Sequence, residues 1–278
     1  MSYVLPDENV LVSFSGGRTS AFMLYKILEA QNWVLPERCK VVFANTGREM
    51  PETYDFVQRC SDEWGVPVTW LEYTKVNKKV SFKIVNHNSA SRNGEPFKLV
   101  LEQPKILPNV HRRFCTQELK VLTIKRFLKS IGWKKWKQCI GIRADEQRRI
   151  KPSKDNRWEN WYPLNDGGAN KSIIMNFWKQ QPFDLALWGK NGDTPKGNCD
   201  GCFLKSEATL AMMFREHPER MQWWIDIENW KSKEIGKDAH FHATRRFADL
   251  ENFVSRQGDW IFDTEGVLCQ ADDGECTG

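Results

Sequence analysis

Ser13 to Phe22 reads SFSGGRTSAF and follows directly on the apolar run Val10-Leu11-Val12. Strand-like residues give way to two glycines, three serines and a threonine. A helical pattern then begins, with Phe22, Met23, Tyr25, Ile27 and Leu28 forming an apolar stripe along Thr19–Ala30. Gly16 and Gly17 permit positive φ and let backbone approach a ligand closely. Ser13, Ser15, Thr19 and Ser20 add hydroxyls, and Arg18 adds a charge, at a helix N-terminus whose amides favour an anion. The spacing is neither the G-x-x-x-x-G-K-S/T of a Walker loop nor the G-x-G-x-x-G of a dinucleotide fold. By residue chemistry alone the stretch is an anion-binding turn or a tight turn with a Ser/Thr N-cap.

Outward from this turn, the first half alternates strand and helix patterns. Asn9–Phe14, Lys40–Ala44, Val66–Glu72 and Lys137–Ile142 read as strands, and Thr19–Ala30, Pro51–Trp64 and Glu118–Ile131 as helices. Such alternation predicts an α/β fold, a Rossmann-like parallel sheet with helices on both faces. Residues 75–113 are polar and read as a long irregular insertion. Residues 152–200 read as loop around a helical Ser172–Gln181, with further helices at Ser206–Glu216 and Pro218–Lys231. The expected organisation is a nucleotide-binding domain over 1–155 and a mainly helical, cysteine-bearing C-terminal region over 156–278.

The 278 residues are 40% hydrophobic and 28% charged, an ordinary globular composition. No apolar run is long enough to span a bilayer, and the N-terminus lacks a signal-peptide pattern, so the expected location is cytoplasmic. The net charge of +5 admits an anionic ligand or a nucleic acid without requiring either. Basic runs lie near Trp133, Trp136, Trp158 and Trp161, which could stack bases; the plainer reading of each run is a solvated face.

Four stretches together resemble one family. SFSGGRTS is similar to the PP-loop, S-G-G-x-D/T-S, of the adenine nucleotide alpha-hydrolase superfamily. FANTGREMPET, Phe43–Thr53, resembles the D-T-G-x-x-x-P-E-T element of its phosphoadenosine phosphosulfate (PAPS) reductase branch, with Asn45 at the aspartate. RFCTQELK, Arg113–Lys120, resembles that branch's R-x-C-x-x-x-L-K. GIRADEQRR, Gly141–Arg149, resembles its G-x-R-x-x-E-S stretch, with Gln147 at the serine. The resemblance implies an enzyme that binds ATP or PAPS, with Mg2+ as a further cofactor. Ser13, Ser15, Gly16, Gly17, Arg18, Thr19 and Ser20 would then hold phosphates, and Asn45, Thr46 and Gly47 would line the nucleotide. Arg143 and Arg149 would stabilise charge on the α-phosphate or on pyrophosphate; the competing reading pairs them with Asp145 and Glu146. The implied chemistry is ATP α-phosphate cleavage coupled to sulfur transfer, with DNA or tRNA as acceptor and a sulfur-donor protein as partner. The alternatives are a sulfonucleotide reductase that releases sulfite, and a nucleotide-binding regulator without turnover.

Eight cysteines without a secretory signal argue for metal ligation, catalysis or burial rather than disulfides. GNCDGCF places Cys199 and Cys202 in a C-x-x-C between glycines, a spacing that lets both sulfurs reach one metal. Cys115 precedes a helix, and LCQADDGECTG adds Cys269 and Cys276. Three readings stand: a 4Fe-4S cluster, as in many relatives, a structural zinc, and a metal-free redox pair. For the cluster the expected ligands are Cys115, Cys199, Cys202 and Cys269. Cys276, in a GECTG that resembles the E-C-G element of PAPS reductases, is then the free nucleophile. Cys39, Cys60 and Cys139 read as buried core thiols.

Overall fold

The computed structural model describes residues 2–153, 155–187, 189, 193–242 and 245–257. The elements run β1 (Val10–Ser13), α1 (Arg18–Ala30), β2 (Cys39–Asn45), α2 (Pro51–Trp64), β3 (Val68–Val76), β4 (Lys79–Val85) and α3 (Glu95–Leu101). Next come α4 (Phe114–Thr116), a π-helical turn over Gln117–Leu122, α5 (Thr123–Ser130), β5 (Trp136–Cys139), a 3-10 turn over Gln147–Arg149 and β6 (Trp158–Trp161). The chain continues through α6 (Pro163–Asp166), α7 (Lys171–Trp178), α8 (Glu207–Glu216), α9 (Pro218–Ile235) and α10 (Phe247–Gln257).

The sheet order is β4-β3-β2-β1-β5-β6, with every neighbouring pair parallel except β3 and β4. β1 is central and buried on both faces, which is why it reads as an unbroken apolar run. Val10, Val12, Val41 and Phe43 face the larger core with α1 and α2; Leu11, Val42, Ala44 and Leu71 face Ile124, Phe127 and Leu128 of α5. The alternation is that of a pleated strand sandwiched between helices. From β1 the chain steps outward to β2 and β3, then returns through α5 to β5 on the other side of β1. A doubly wound sheet opens its ligand crevice at such a reversal, beyond the carboxyl ends of the strands.

Two sequence expectations change. Residues 75–113 are not irregular throughout: β3 runs on to Val76, turns at Asn77 (φ 49°) and Lys78 (φ 62°), and returns as β4. Two consecutive left-handed residues make the tight hairpin turn that matches strand twist, here without a glycine to announce it. The expected boundary at 155 does not divide the molecule: β6 pairs with β5 from beyond it, and one apolar core runs from Leu5 to Leu250. No described helix is long and apolar enough to cross a membrane.

Candidate functional site

The turn after β1 is shaped from within. Ser20 Oγ donates to the Gly17 carbonyl (3.0 Å), and accepts from the Ser15 amide (3.2 Å) and hydroxyl (2.8 Å). Gly16 sits at φ +84°, and a Cβ there would lie 2.7 Å from Thr53 Cγ2. The glycine lets the turn lie against α2. Gly17 caps α1 in an extended conformation with no side-chain cap hydrogen bond, the kind of helix start whose amides favour an anion. Arg18 does not face that place. Its guanidinium grips Asp184 through Nε (2.7 Å) and Nη2 (3.0 Å) and donates to the Leu185 carbonyl, tying the turn to the loop after α7. Thr19 is buried in the first turn of α1.

A pocket of about 580 Å³, open to solvent, lies at the β1–β5 reversal beside this turn. Its lining includes Ser13 and Ser15 from the end of β1, Val42 and Ala44 from β2, Gln138 and Ile140 from β5 and its exit, and Lys120, Val121 and Ile124 from the helix above. Lys120 and Val121 belong to the π-helical turn, a distortion frequent at functional sites. Gly141 brings the β5 exit against α1, where an added Cβ would meet Ser20 Cα at 3.3 Å.

A second, mostly apolar pocket, also open to solvent, shares Lys120 with the first. Cys115, Cys199 and Cys202 all line it, with Thr46, Arg113 and, again, Lys120. Thr46 Oγ1 donates to Glu49 Oε1 (2.8 Å) and lies 3.3 Å from Cys199 Sγ. Burial, joined by the Glu49 charge, pushes the Cys199 thiol far above the ordinary range, with Lys120 and Thr46 pulling more weakly the other way. Cys199 by itself is therefore a protonated thiol; a bound cation would be needed to make it a thiolate. Among the described residues no three His, Cys, Asp or Glu side chains are placed to hold a single metal ion.

Between the two cysteines, Asp200 is fully buried and anchors the knuckle. It accepts from Arg48 Nε (3.2 Å) and Nη2 (2.6 Å), Arg220 Nε (2.7 Å), Trp224 Nε1 (2.6 Å) and the Gly201 amide (2.9 Å). Its own amide donates to the Arg48 carbonyl. The C-x-x-C is thus fastened both to the loop after β2 and to α9. Gly201 is required by packing: a Cβ there would lie 2.5 Å from the Trp224 indole.

The structure groups the expected residues unevenly. Ser13 and Ser15 line the first pocket, and Thr46 turns toward the thiols. Asn45 is buried with its carboxamide spent inside the protein: Nδ2 donates to Glu72 Oε1 (2.6 Å) and the Ser91 carbonyl (2.9 Å), and Oδ1 accepts from the Gly47 amide. Gly47, at φ +81°, packs on Gly94. Arg143 Nε donates to Asp145 (2.9 Å), and Arg149 pairs with Glu146, the arrangement of the competing reading. Cys39, Cys60 and Cys139 are buried, and burial raises the thiol of each. Trp136 is no base-stacking platform: it is 3% exposed and stacked on Trp158, whose ring Lys125 covers. Cys269 and Cys276 lie outside the described residues. Sequence reasoning overlooked Lys120, although it closes the quoted RFCTQELK stretch. It also overlooked Asp200, a charge set between two cysteines and a glycine, and Gln138.

The phosphoadenosine phosphosulfate reductase domain model matches residues 9–163, a span that takes in β6. The chain is 31% identical over 222 residues to an uncharacterized nin region protein, ORF290, of Escherichia phage lambda, covering 74% of this chain and 69% of that one. Among solved structures it is similar to a phosphoadenylyl-sulfate reductase from Candida auris in a phosphate complex, with TM-score 0.43, 15% identity, and coverage of 63% of this chain and 73% of that one. It is also similar to the U34-tRNA thiolase NcsA from Methanococcus maripaludis with its 4Fe-4S cluster, with TM-score 0.42, 10% identity, and coverage of 91% and 83%.

Proposed function

This chain belongs to the phosphoadenosine phosphosulfate reductase domain family, and from that premise we propose that it is an adenine-nucleotide-dependent sulfur enzyme. The observation that carries the reading is Lys120. One side chain lines both the pocket beside the phosphate-binding turn and the pocket of the three cysteines. In this reading the nucleotide and sulfur sites are adjacent, as transfer between them requires.

In this reading the Ser15–Ser20 turn holds phosphates on the N-terminus of α1. An acceptor oxygen attacks the α-phosphorus, pyrophosphate leaves, and a sulfur nucleophile then displaces AMP. Arg143 and Arg149 would turn part of their hydrogen bonding from Asp145 and Glu146 to the departing pyrophosphate. Lys120 would hold positive charge between the phosphates and the thiols. Cys115, Cys199 and Cys202 fit a thiolate-bound group, with Cys269 as the expected fourth ligand. A tetrahedral zinc draws its sulfurs to within about 4 Å of one another. A four-iron cluster reaches wider, and it is the group proposed for these three thiols, which line one pocket. A cluster held there would supply a soft, sulfur-binding centre. The acceptor class proposed is nucleic acid.

Anaerobically purified protein incubated with γ-labelled ATP, and separately with PAPS, tests this. Pyrophosphate release with acceptor RNA or DNA, and none of the sulfite that Cys276 would release from PAPS, is the expected result. Sulfite without pyrophosphate would replace the reading with a sulfonucleotide reductase. Nucleotide binding without either product would leave a regulator.

A further inference from the structure

The pocket beside the turn has apolar walls, Val42, Ala44, Val121, Ile124 and Ile140, and an amide among them. Gln138 lies on β5 opposite Leu11 in register, which puts it on the same sheet face as Ser13, two residues further along β1. Neighbours on that face bury themselves under α5: Leu11 and Trp136 are in its core. Gln138 breaks the apolar pattern, and its carboxamide has no hydrogen-bond partner among the described residues. Ser13 Oγ, shut off from solvent, also has none. Polar groups lining an apolar pocket without partners mark a place where a ligand completes the hydrogen bonding.

We infer that Gln138 reads the edge of the nucleotide's base, a specificity-determining role that rests on the nucleotide reading proposed above. A carboxamide offers one donor face and one acceptor face side by side. Adenine's exocyclic N6 amine donates beside an accepting ring nitrogen, so the two edges pair with both bonds made. The aliphatic walls cover the ring faces, and the phosphates extend along the Ser15–Ser20 turn. Because a carboxamide can turn over, guanine's Watson–Crick edge would also satisfy it. The discriminating probe is therefore loss of the amine, not exchange of the base.

The test measures binding of ATP, purine riboside triphosphate, which lacks the N6 amine, and tripolyphosphate to the full chain and to its Gln138→Leu and Gln138→Met variants. Wild type should bind ATP about tenfold tighter than purine riboside triphosphate. Both variants should lose that preference while binding tripolyphosphate as wild type does, which also reports that they are folded. Wild type without the preference, or variants that keep it, would overturn the assignment of Gln138. Failure of wild type to bind both ATP and tripolyphosphate would overturn the nucleotide reading itself.

Discussion

Asn45 stands where the resembling family has an aspartate, and its surroundings explain the exchange. Nδ2 lies 2.6 Å from the fully buried Glu72 carboxylate, which also accepts from the Ser91 amide and hydroxyl and pairs with Lys83. An aspartate there would set a second carboxylate against one whose single ammonium partner is already engaged. Asn45→Asp should cost about 2–4 kcal/mol of stability at pH 8. The sign follows from proton binding. The close pair in the folded variant holds a proton that the unfolded chain releases, so stability falls as pH rises and recovers toward pH 5. Adding Glu72→Gln should recover part of the loss at pH 8. Urea titrations at both pH values check this, and a variant as stable as wild type at pH 8 would sink it. Gly16 makes a simpler case. With φ at +84° and Thr53 Cγ2 only 2.7 Å from where an added methyl would sit, Gly16→Ala should lower stability by about 1–3 kcal/mol. It should also abolish tripolyphosphate binding, because the turn must move off α2.

At the scale of elements, the C-x-x-C knuckle is held by charge rather than by its sulfurs. Asp200 balances Arg48 and Arg220 in a buried cluster, and Arg48 lies 4.8 Å from the centre of the Trp223 ring. Asp200→Asn keeps the shape and leaves two guanidiniums without their counter-charge, a loss of about 3–5 kcal/mol. The thiols of Cys199 and Cys202 should then react faster with a disulfide reagent, since the loop that buries them is released. Unchanged labelling with an unchanged melting curve would refute the anchoring role. Asp200 was not legible in the sequence, because a lone acid between cysteines reads as a solvated loop residue until α9 is seen to cover it. The hairpin was hidden for a related reason: Asn77-Lys78 carries none of the glycine that marks most such turns. β6 was missed because WENW lacks the apolar run of a central strand; it lies at the sheet edge, where its side chains are only partly buried. What was legible were the elements with strong local signals, namely the apolar β1, Pro51 at the head of α2 and the glycine turn between strand and helix.

Across the whole molecule, the contacts that complete the half bearing the glycine turn come from beyond residue 155. Trp178 Nε1 donates to the Arg18 carbonyl (3.0 Å), Asp184 pairs with the Arg18 guanidinium, and Asp200 pairs with Arg48. β6 covers one edge of β5, and Trp178, Phe183 and Phe56 share the core beneath α2. The sequence pattern suggested two units because composition shifts to loop-like residues after 152, and composition reports exposure of the chain locally, not which distant segments it packs against. A fragment of residues 1–155 would carry buried charges at Arg18 and Arg48 with their partners removed and a sheet short of its edge strand. Such a fragment should not fold cooperatively. The measurement is a urea titration followed by far-ultraviolet circular dichroism: the full chain should give a sigmoidal transition, and the fragment a shallow drift without a midpoint. A sharp transition in the fragment would mean that the N-terminal half is self-sufficient, and that the C-terminal elements cover it without building it.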